Sequence, residues 1–297
     1  MTVALAAAVR TLPRGPGLAY EPKFDGHRLV VVRTDRGVDG VVLQARSGRI
    51  VTAAFPDLAA AAHHLPAGTI LDGEVVIWQA GRTDFALVQR RAAASAARAA
   101  VLAQTLPASY AAFDILELAG LDLRARSYER RRALLVDLLL PLGPPLQPVP
   151  MTTDPELAET WYETLPASGI EGLVVKRMDE AYPAGRRSWR KLRHTNVRDA
   201  AVVGYTGTAR RPLALVLVLP VGDETPLVSS PLTAPLRAEM AAAVATRAPE
   251  PAGGATVTAI GLGEVPFHPL DPPLTAEVRH TSTRHPPPEV LRLRTDL

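Results

Sequence analysis

The sequence carries 33 basic residues, of which only three are lysines, Lys23, Lys176 and Lys191; the other 30 are arginines. A chain that writes almost all its positive charge as Arg keeps Lys where a compact amine is needed, one able to lose its proton and attack an electrophile. Three residues are also few enough for chance, so their neighbourhoods decide. Lys23 lies in Glu21-Pro22-Lys23-Phe24-Asp25-Gly26-His27-Arg28. There Gly26 permits a close turn, Asp25 can orient the amine or hold a metal, and Arg28 can hold a phosphate. A solvated surface turn is the plainer reading of the same residues. Lys176 ends Glu171-Gly172-Leu173-Val174-Val175-Lys176, where strand alternation puts Leu173, Val175 and Arg177 on one face and Val174 and Lys176 on the other. Lys191 lies in Ser188-Trp189-Arg190-Lys191-Leu192-Arg193, whose alternation gathers Trp189, Lys191 and Arg193 on one cationic face. That strip also suits a sheet edge protected by charge.

The elements that must position these residues follow from patterning. Residues 1–20, with Pro13, Gly15, Pro16 and Gly17, read as an opening loop. Strands are expected at Arg28–Arg33, Val41–Ala45, Thr69–Gln79, Tyr110–Leu118, Leu173–Lys176 and Trp189–Arg193. Helices are expected at Ala53–Leu65, Phe85–Ala103, Ser127–Leu140 (Ser127 as N-cap, an apolar face of Leu134, Leu135, Leu138 and Leu139) and Asp154–Leu165. Beyond about residue 197 short strands dominate: Val202–Tyr205, Leu213–Leu219, Thr256–Ile260 and Ala276–Arg279, with one helix at Ala234–Ala245. That content fits a small β-barrel such as an OB-fold. Pro249–Gly254 and His285–Pro288 read as loops.

Length and composition bound the rest. At 297 residues, 47% hydrophobic and 21% charged, the chain suits about two folded domains. The net charge of +3 permits an anionic partner. Without cysteine there are no disulfides, thiolate metal sites or cysteine nucleophiles. No apolar run is long enough to span a bilayer, and Met1–Val9 lacks the basic start of a signal peptide. A cytoplasmic protein is the expectation.

Taken together and in order, the three lysine segments resemble motifs I, IV and V of the ATP-dependent DNA ligases. Leu71-Asp72-Gly73-Glu74 resembles motif III, Phe113-Asp114 motif IIIa, and Arg46 the arginine between motifs I and III. Leu291-Arg292-Leu293-Arg294-Thr295-Asp296-Leu297 resembles motif VI. The stretches Ala53–Leu58 and Tyr182–Arg187 are similar to the small bacterial ligase C type of non-homologous end joining. Two positions depart from the pattern: Arg193 stands where motif V commonly has a second lysine, and Leu297 where motif VI often ends in lysine.

The resemblance implies an α+β fold: an ATP-grasp-like nucleotidyltransferase domain of antiparallel sheets and helices over residues 1–197, then an all-β OB-fold over 198–297. It implies that Lys23 takes AMP from ATP, passes it to the 5′-phosphate of a break, and that the 3′-hydroxyl then displaces it. Glu21 would contact the adenine edge, Arg28 and Arg46 phosphate or ribose, and Phe113 would stack on adenine opposite Val175. Glu171 would be the main ligand of Mg²⁺ (or Mn²⁺), Glu74 a ribose or metal contact, and Asp25 a metal contact through water. Lys176 and Lys191 would grip the α-phosphate, and Arg292 and Arg294 would act on pyrophosphate. Among the weaker signals, His63-His64 read as a solvated helix end, and Trp78 and Trp161 as packing residues. His280 and His285 read equally as DNA contacts or solvated loop.

The expected partner is nicked or broken double-stranded DNA, with an end-binding Ku homologue as a candidate protein partner, in a nucleoid-associated monomer that serves repair. Two rivals stand beside this reading. One is an RNA ligase or capping-type nucleotidyltransferase, which shares motif I. The other is a non-catalytic nucleic-acid-binding scaffold on the same fold, against which the retained Lys23, Asp25, Glu74, Glu171, Lys176 and Lys191 argue.

Overall fold

A computed structural model describes residues 1–37, 40–219, 225–247, 255–259, 263–281 and 287–294. The chain divides into two compact units, Met1–His194 and Thr195–Leu297.

The first unit is built on two sheets. The larger has seven strands. Its spine is β3 (His27–Arg33), β5 (Thr69–Gln79) and β7 (Ala108–Leu118), flanked by β4 (Val41–Ala45) and β8 (Leu121–Asp122), with β6 (Arg82–Thr83) on β5 and β9 (Leu146–Pro148) on β7. Every pairing in it is antiparallel except β9 with β7. One face carries Leu29, Val31, Leu43, Leu71, Val75 and Ile115, all fully buried. Over it pack Leu58 from α1 (Pro56–Ala62), Val88 from α2 (Phe85–Ala92), and Leu135 and Leu139 from α4 (Tyr128–Leu139). Ser127 caps α4 by accepting from Arg130 N, as its position before the apolar run implies. The long helix expected over Phe85–Ala103 is two helices, α2 and α3 (Ala96–Thr105). Asp84 caps the first through Ala86 N and Leu87 N, and the chain breaks before Ser95. The expected helix at Ala53–Leu65 is a 3₁₀ turn, Thr52–Ala54, followed by α1.

The smaller sheet has four strands in the order β1 (Ala6–Val9), β11 (Trp189–Arg193), β10 (Ile170–Arg177), β2 (Leu18–Phe24). Part of the expected opening loop is therefore a strand: β1 pairs in parallel with β11, Ala8 opposite Lys191. Its Ala-rich sequence carries little strand propensity, so the partner strand, distant in sequence, defines it. One face of this sheet packs Leu18, Tyr20, Leu173 and Val175 against Ala158 of α5 (Pro155–Thr164).

The second unit is an antiparallel sheet ordered β14 (Leu227–Val228), β13 (Arg211–Val218), β12 (Thr195–Thr208), β16 (Gly263–Thr281), β15 (Ala255–Ala259), with β17 (Glu289–Arg294) also paired to β16. Leu236 and Met240 of α6 (Ala234–Ala245) join its core of Val202, Leu215, Leu217, Ala276 and Val278. The strand expected at Ala276–Arg279 is the end of the longer β16.

One irregularity governs what the small sheet displays. Between Ile170 and Gly172 the register of β10 against β2 shifts, leaving Glu171 as a bulged extra residue. Gly172 takes φ 148°, and a Cβ there would lie 2.0 Å from Leu192 O. No side chain fits. We expect Gly172→Ala to destabilise the protein by roughly 1–3 kcal/mol from backbone strain, more where Leu192 must move. Urea denaturation measures this, and an unchanged midpoint would contradict the bulge.

Candidate active site

The second face of the small sheet carries Glu21 and Lys23 from β2, Val174 and Lys176 from β10, and Trp189, Lys191 and Arg193 from β11. Pairing sets Lys23 opposite Gly172, Glu21 opposite Val174, and Val174 opposite Lys191. In a strictly alternating β10, Glu171 would point with Leu173 into the core against α5. The bulge turns it to the lysine face instead. There the Glu171 carboxylate, 1% exposed, pairs with Lys23 Nζ, and Arg193 Nη2 stands 3.4 Å from the same Oε1. Lys23 itself is 20% exposed. Its amine is held from within and reachable from outside.

The turn from β2 into β3 carries Asp25 and Gly26 across to the large sheet. A Cβ on Gly26 would lie 2.1 Å from Val75 O, so the turn sits flush on β5 and only glycine fits. Asp25 and Glu74 thereby join the field of Lys23. Burial, with the nearby charge of Glu171, lifts the Asp25 carboxyl to about 7, against the pull of Lys23 and Arg193. Burial likewise lifts Glu74 to about 7, opposed by Lys23 and Arg28 and reinforced by Glu171 and Asp25. Lys191 is pushed below the ordinary lysine value by burial and by Arg193 and Lys23. Lys191 and the exposed Arg46 make no ion pair among the described residues.

Three carboxylates crowd this corner, and Glu171 Oε2 is buried without a hydrogen-bond partner. Hard oxygens short of positive charge suit a divalent cation. Among the described residues no three His, Asp or Glu side chains are grouped to hold a metal by themselves. The donor set therefore fits a cation that keeps most of its coordination for phosphate oxygens and water, as Mg²⁺ does.

Other expected site residues are engaged elsewhere. Arg28 is bidentate on buried Asp72 (2.9 and 2.6 Å) and donates to Ala4 O at 2.6 Å, so its guanidinium is committed within the protein. Burial works against its charge, but Asp72 outweighs this and holds it above the usual arginine value. Lys176 is 1% exposed: it pairs with Glu21 at 2.7 Å, donates to Phe113 O at 2.7 Å, and lies 4.3 Å from the Trp189 ring centre. That burial is at odds with a phosphate grip by Lys176. The other Glu21 oxygen accepts from Tyr128 OH, leaving Glu21 only 2% exposed. Val175 faces the α5 side; it is Val174 that packs with Phe113 and Trp189, so the pairing of Phe113 with Val175 does not form. Asp114, itself buried, holds buried Arg131 in a bidentate pair at 2.7 and 3.0 Å. In the second unit Arg292 pairs with Glu277, and Arg294 with Glu277 and Asp199, all on exposed or half-buried surface. Thr295 to Leu297 and His285 lie outside the described residues.

Sequence reasoning missed Tyr128 and Tyr182. Tyr182 donates to Asp72 Oδ2 at 2.5 Å and thereby helps fix Arg28. Neither tyrosine carries a local signal, because both reach partners more than 100 residues away in sequence.

A lysine amine gripped by a bulged carboxylate, between two largely antiparallel sheets and beside further carboxylates and cations, is the arrangement of a nucleotidyltransferase-type domain. Residues 2–193 match the family model described as "ATP dependent DNA ligase domain". DNA ligase C2 of Mycolicibacterium smegmatis is 36% identical over 202 residues, covering 68% of this chain and 56% of that protein. DNA ligase C of Mycobacterium tuberculosis is 34% identical over 206 residues, with the same coverage. Among solved structures, a mycobacterial DNA ligase D complexed with ATP and MES superposes with a TM-score of 0.56 at 24% identity, covering 100% of this chain and 95% of that one. The chain belongs to the ATP-dependent DNA ligase family. It spans little more than half the length of the first two relatives. No helix among the described residues is long and apolar enough to cross a membrane.

The crowded carboxylates give a pH test on metal-free protein. A carboxyl lifted to about 7 from an unfolded value near 4 costs the fold nothing below about pH 4. Its penalty grows between pH 4 and 7 and is complete above 7. Asp25→Asn and Glu74→Gln should therefore raise the thermal midpoint at pH 8, with the gain fading towards pH 4. Equal midpoints at pH 8 would contradict the lifted values.

Proposed function

We propose that this chain is an ATP-dependent DNA ligase that seals 5′-phosphate/3′-hydroxyl breaks through an AMP adduct on Lys23. The observation that carries the reading is the partly exposed Lys23 amine held by a buried carboxylate of the same site. Attack by Lys23 Nζ on the α-phosphorus of ATP forms the N–P bond and breaks the α–β P–O bond, releasing pyrophosphate. The AMP then passes to the 5′-phosphate of the break, freeing Lys23. The 3′-hydroxyl displaces AMP and closes the strand. Glu171 Oε1 lies against the ammonium and is placed to take its proton as attack begins. Arg193 and Lys191, on the same sheet face, supply positive charge where the phosphoryl oxygens gain negative charge. The unpartnered Oε2 of Glu171 is the first candidate to hold Mg²⁺, with Asp25 and Glu74 acting on it by charge or through water. Bound there, the ion would neutralise phosphate charge and ease departure of pyrophosphate.

In this reading Phe113, half-buried and edge-on to Trp189 at 5.8 Å, offers the ring on which the adenine stacks. Glu21, held on both oxygens by Lys176 and Tyr128, contributes as a fixed negative charge behind that pocket. Arg46 is free for phosphate or ribose. The second unit serves as an OB-fold, a role supported by its antiparallel strands and single helix. Exposed ion pairs like those of Arg292 and Arg294 are worth little, so both guanidiniums can exchange Glu277 and Asp199 for phosphate.

The test is incubation with α-labelled ATP and Mg²⁺, then denaturing electrophoresis, with nicked DNA added in a second stage. Wild type should become labelled and lose the label to DNA as it seals. Lys23→Arg should lose labelling by roughly 10³-fold or more while staying folded. Label retained by Lys23→Arg, or a wild type that takes up no label from ATP, would refute the reading. A further expectation concerns the tail: Arg294→Ala should slow self-adenylation far more than sealing of a pre-adenylated nick in single-turnover assays. Equal losses would assign the tail to general DNA binding or stability.

A further inference from the structure

Trp78 is not the packing residue its sequence suggested: it is 45% exposed. It stands at the end of β5, where a two-residue turn with Ala80 at φ 49° and Gly81 at φ 78° folds the strand back into β6. Positive φ at both central residues is the tight hairpin geometry that matches strand twist. The hairpin is pinned: Thr83, opposite Trp78, is buried and donates through Oγ1 to Gly169 O at 2.9 Å. Trp78 is thus an indole on a rigid mount with nearly half its surface in water. Its ring meets Phe24 edge-on, 6.4 Å between centres at 80°. Phe24 follows Lys23 directly, and beyond the Asp25-Gly26 turn His27 meets Phe85 in the same way at 5.7 Å. The turn that carries the reactive lysine is therefore bordered by a row of rings.

Positive charge flanks this row. Arg49, close enough to His27 to depress its pKa, and Arg46 lie exposed on the hairpin after β4. Arg82 is exposed at the tip of the β5–β6 hairpin. None of the three has an ion-pair partner among the described residues, whereas Arg14, Arg124 and Arg177 are each paired to acids. A stacking surface with unpaired guanidiniums at its margins is the chemistry of a nucleic-acid contact.

We infer that Trp78, backed by Phe24, is a stacking platform for the DNA beside the break, and that Arg49 and Arg82 hold the flanking phosphates. The inference rests on the proposed ligase reading for its substrate and deepens it by saying where the duplex is held relative to Lys23. A rigid mount matters here, because the ring then need not be ordered each time DNA binds.

The experiment uses the full chain and a nicked duplex ending in a dideoxy 3′ terminus, so that binding is read without sealing. Of the three tryptophans, Trp189 is buried and Trp161 half-buried, so DNA-induced quenching of wild type should come chiefly from Trp78. It should fall sharply in Trp78→Phe. Trp78→Ala should weaken binding and raise KM for nicked DNA about tenfold, the loss of one stacked base. Arg49→Gln should lower the slope of log affinity against log salt by about one. Self-adenylation with ATP, which needs no DNA, serves as the folding control. Undiminished quenching in Trp78→Phe, or unchanged affinity and KM in Trp78→Ala, would overturn the inference while leaving the ligase reading intact. A changed oligomeric state in Trp78→Ala with unaltered DNA affinity would overturn it in favour of a protein contact. Failure of wild type to self-adenylate would instead strike the ligase reading itself.

Discussion

The structure turns on the contact between Lys23 and Glu171. An amine on one strand and a carboxylate on its neighbour meet only because β10 bulges at Glu171, and the bulge exists only because Gly172 leaves room for Leu192 O. The turn after Lys23 depends on glycine for the same kind of reason, since Gly26 lies against Val75 O. Two glycines thus bring β2, β10 and β5 close enough for three carboxylates and a lysine to share one field. Elsewhere the buried charges are closed in pairs: Arg131 with Asp114, Arg91 with Asp57, Arg28 with Asp72. Pairs of that kind fix geometry and leave nothing over for chemistry.

The corner around Lys23 is different, because its charges are not closed in pairs. Asp25 and Glu74 are both lifted to about 7, and Glu171 keeps an oxygen without a partner. Such an arrangement favours added positive charge of the kind a divalent cation would bring. Lys176, which its motif position suggested as a phosphate contact, is instead closed in a buried pair with Glu21. Lys191 and Arg193 remain on the open part of the same face.

Much of this was legible in the sequence. The strands Val41–Ala45, Thr69–Gln79 and Trp189–Arg193 and the helix Ala234–Ala245 have the bounds that alternation and periodicity gave them. Alternation also grouped Trp189, Lys191 and Arg193, and set Val174 with Lys176. What the sequence hid is non-local. A bulge breaks alternation by one residue, so Glu171 reads as facing the core until its partner strand is known; the glycine that follows it was the available signal. β1 exists through its pairing with β11, across nearly the whole first unit. The links from Tyr128 to Glu21 and from Tyr182 to Asp72 join positions that no short window contains. Trp78 read as core because a tryptophan ending an apolar strand usually is, and only the hairpin geometry leaves it in water.

The central claim is that one lysine of the three has the geometry of a nucleophile. The most direct measurement is peptide mass mapping of the wild-type protein after reaction with ATP and Mg²⁺ and removal of free nucleotide under conditions that preserve N–P bonds. The account predicts AMP on the peptide containing Lys23, and on no peptide containing Lys176 or Lys191. AMP on either of those lysines, or a protein that carries none after prolonged incubation, would contradict it.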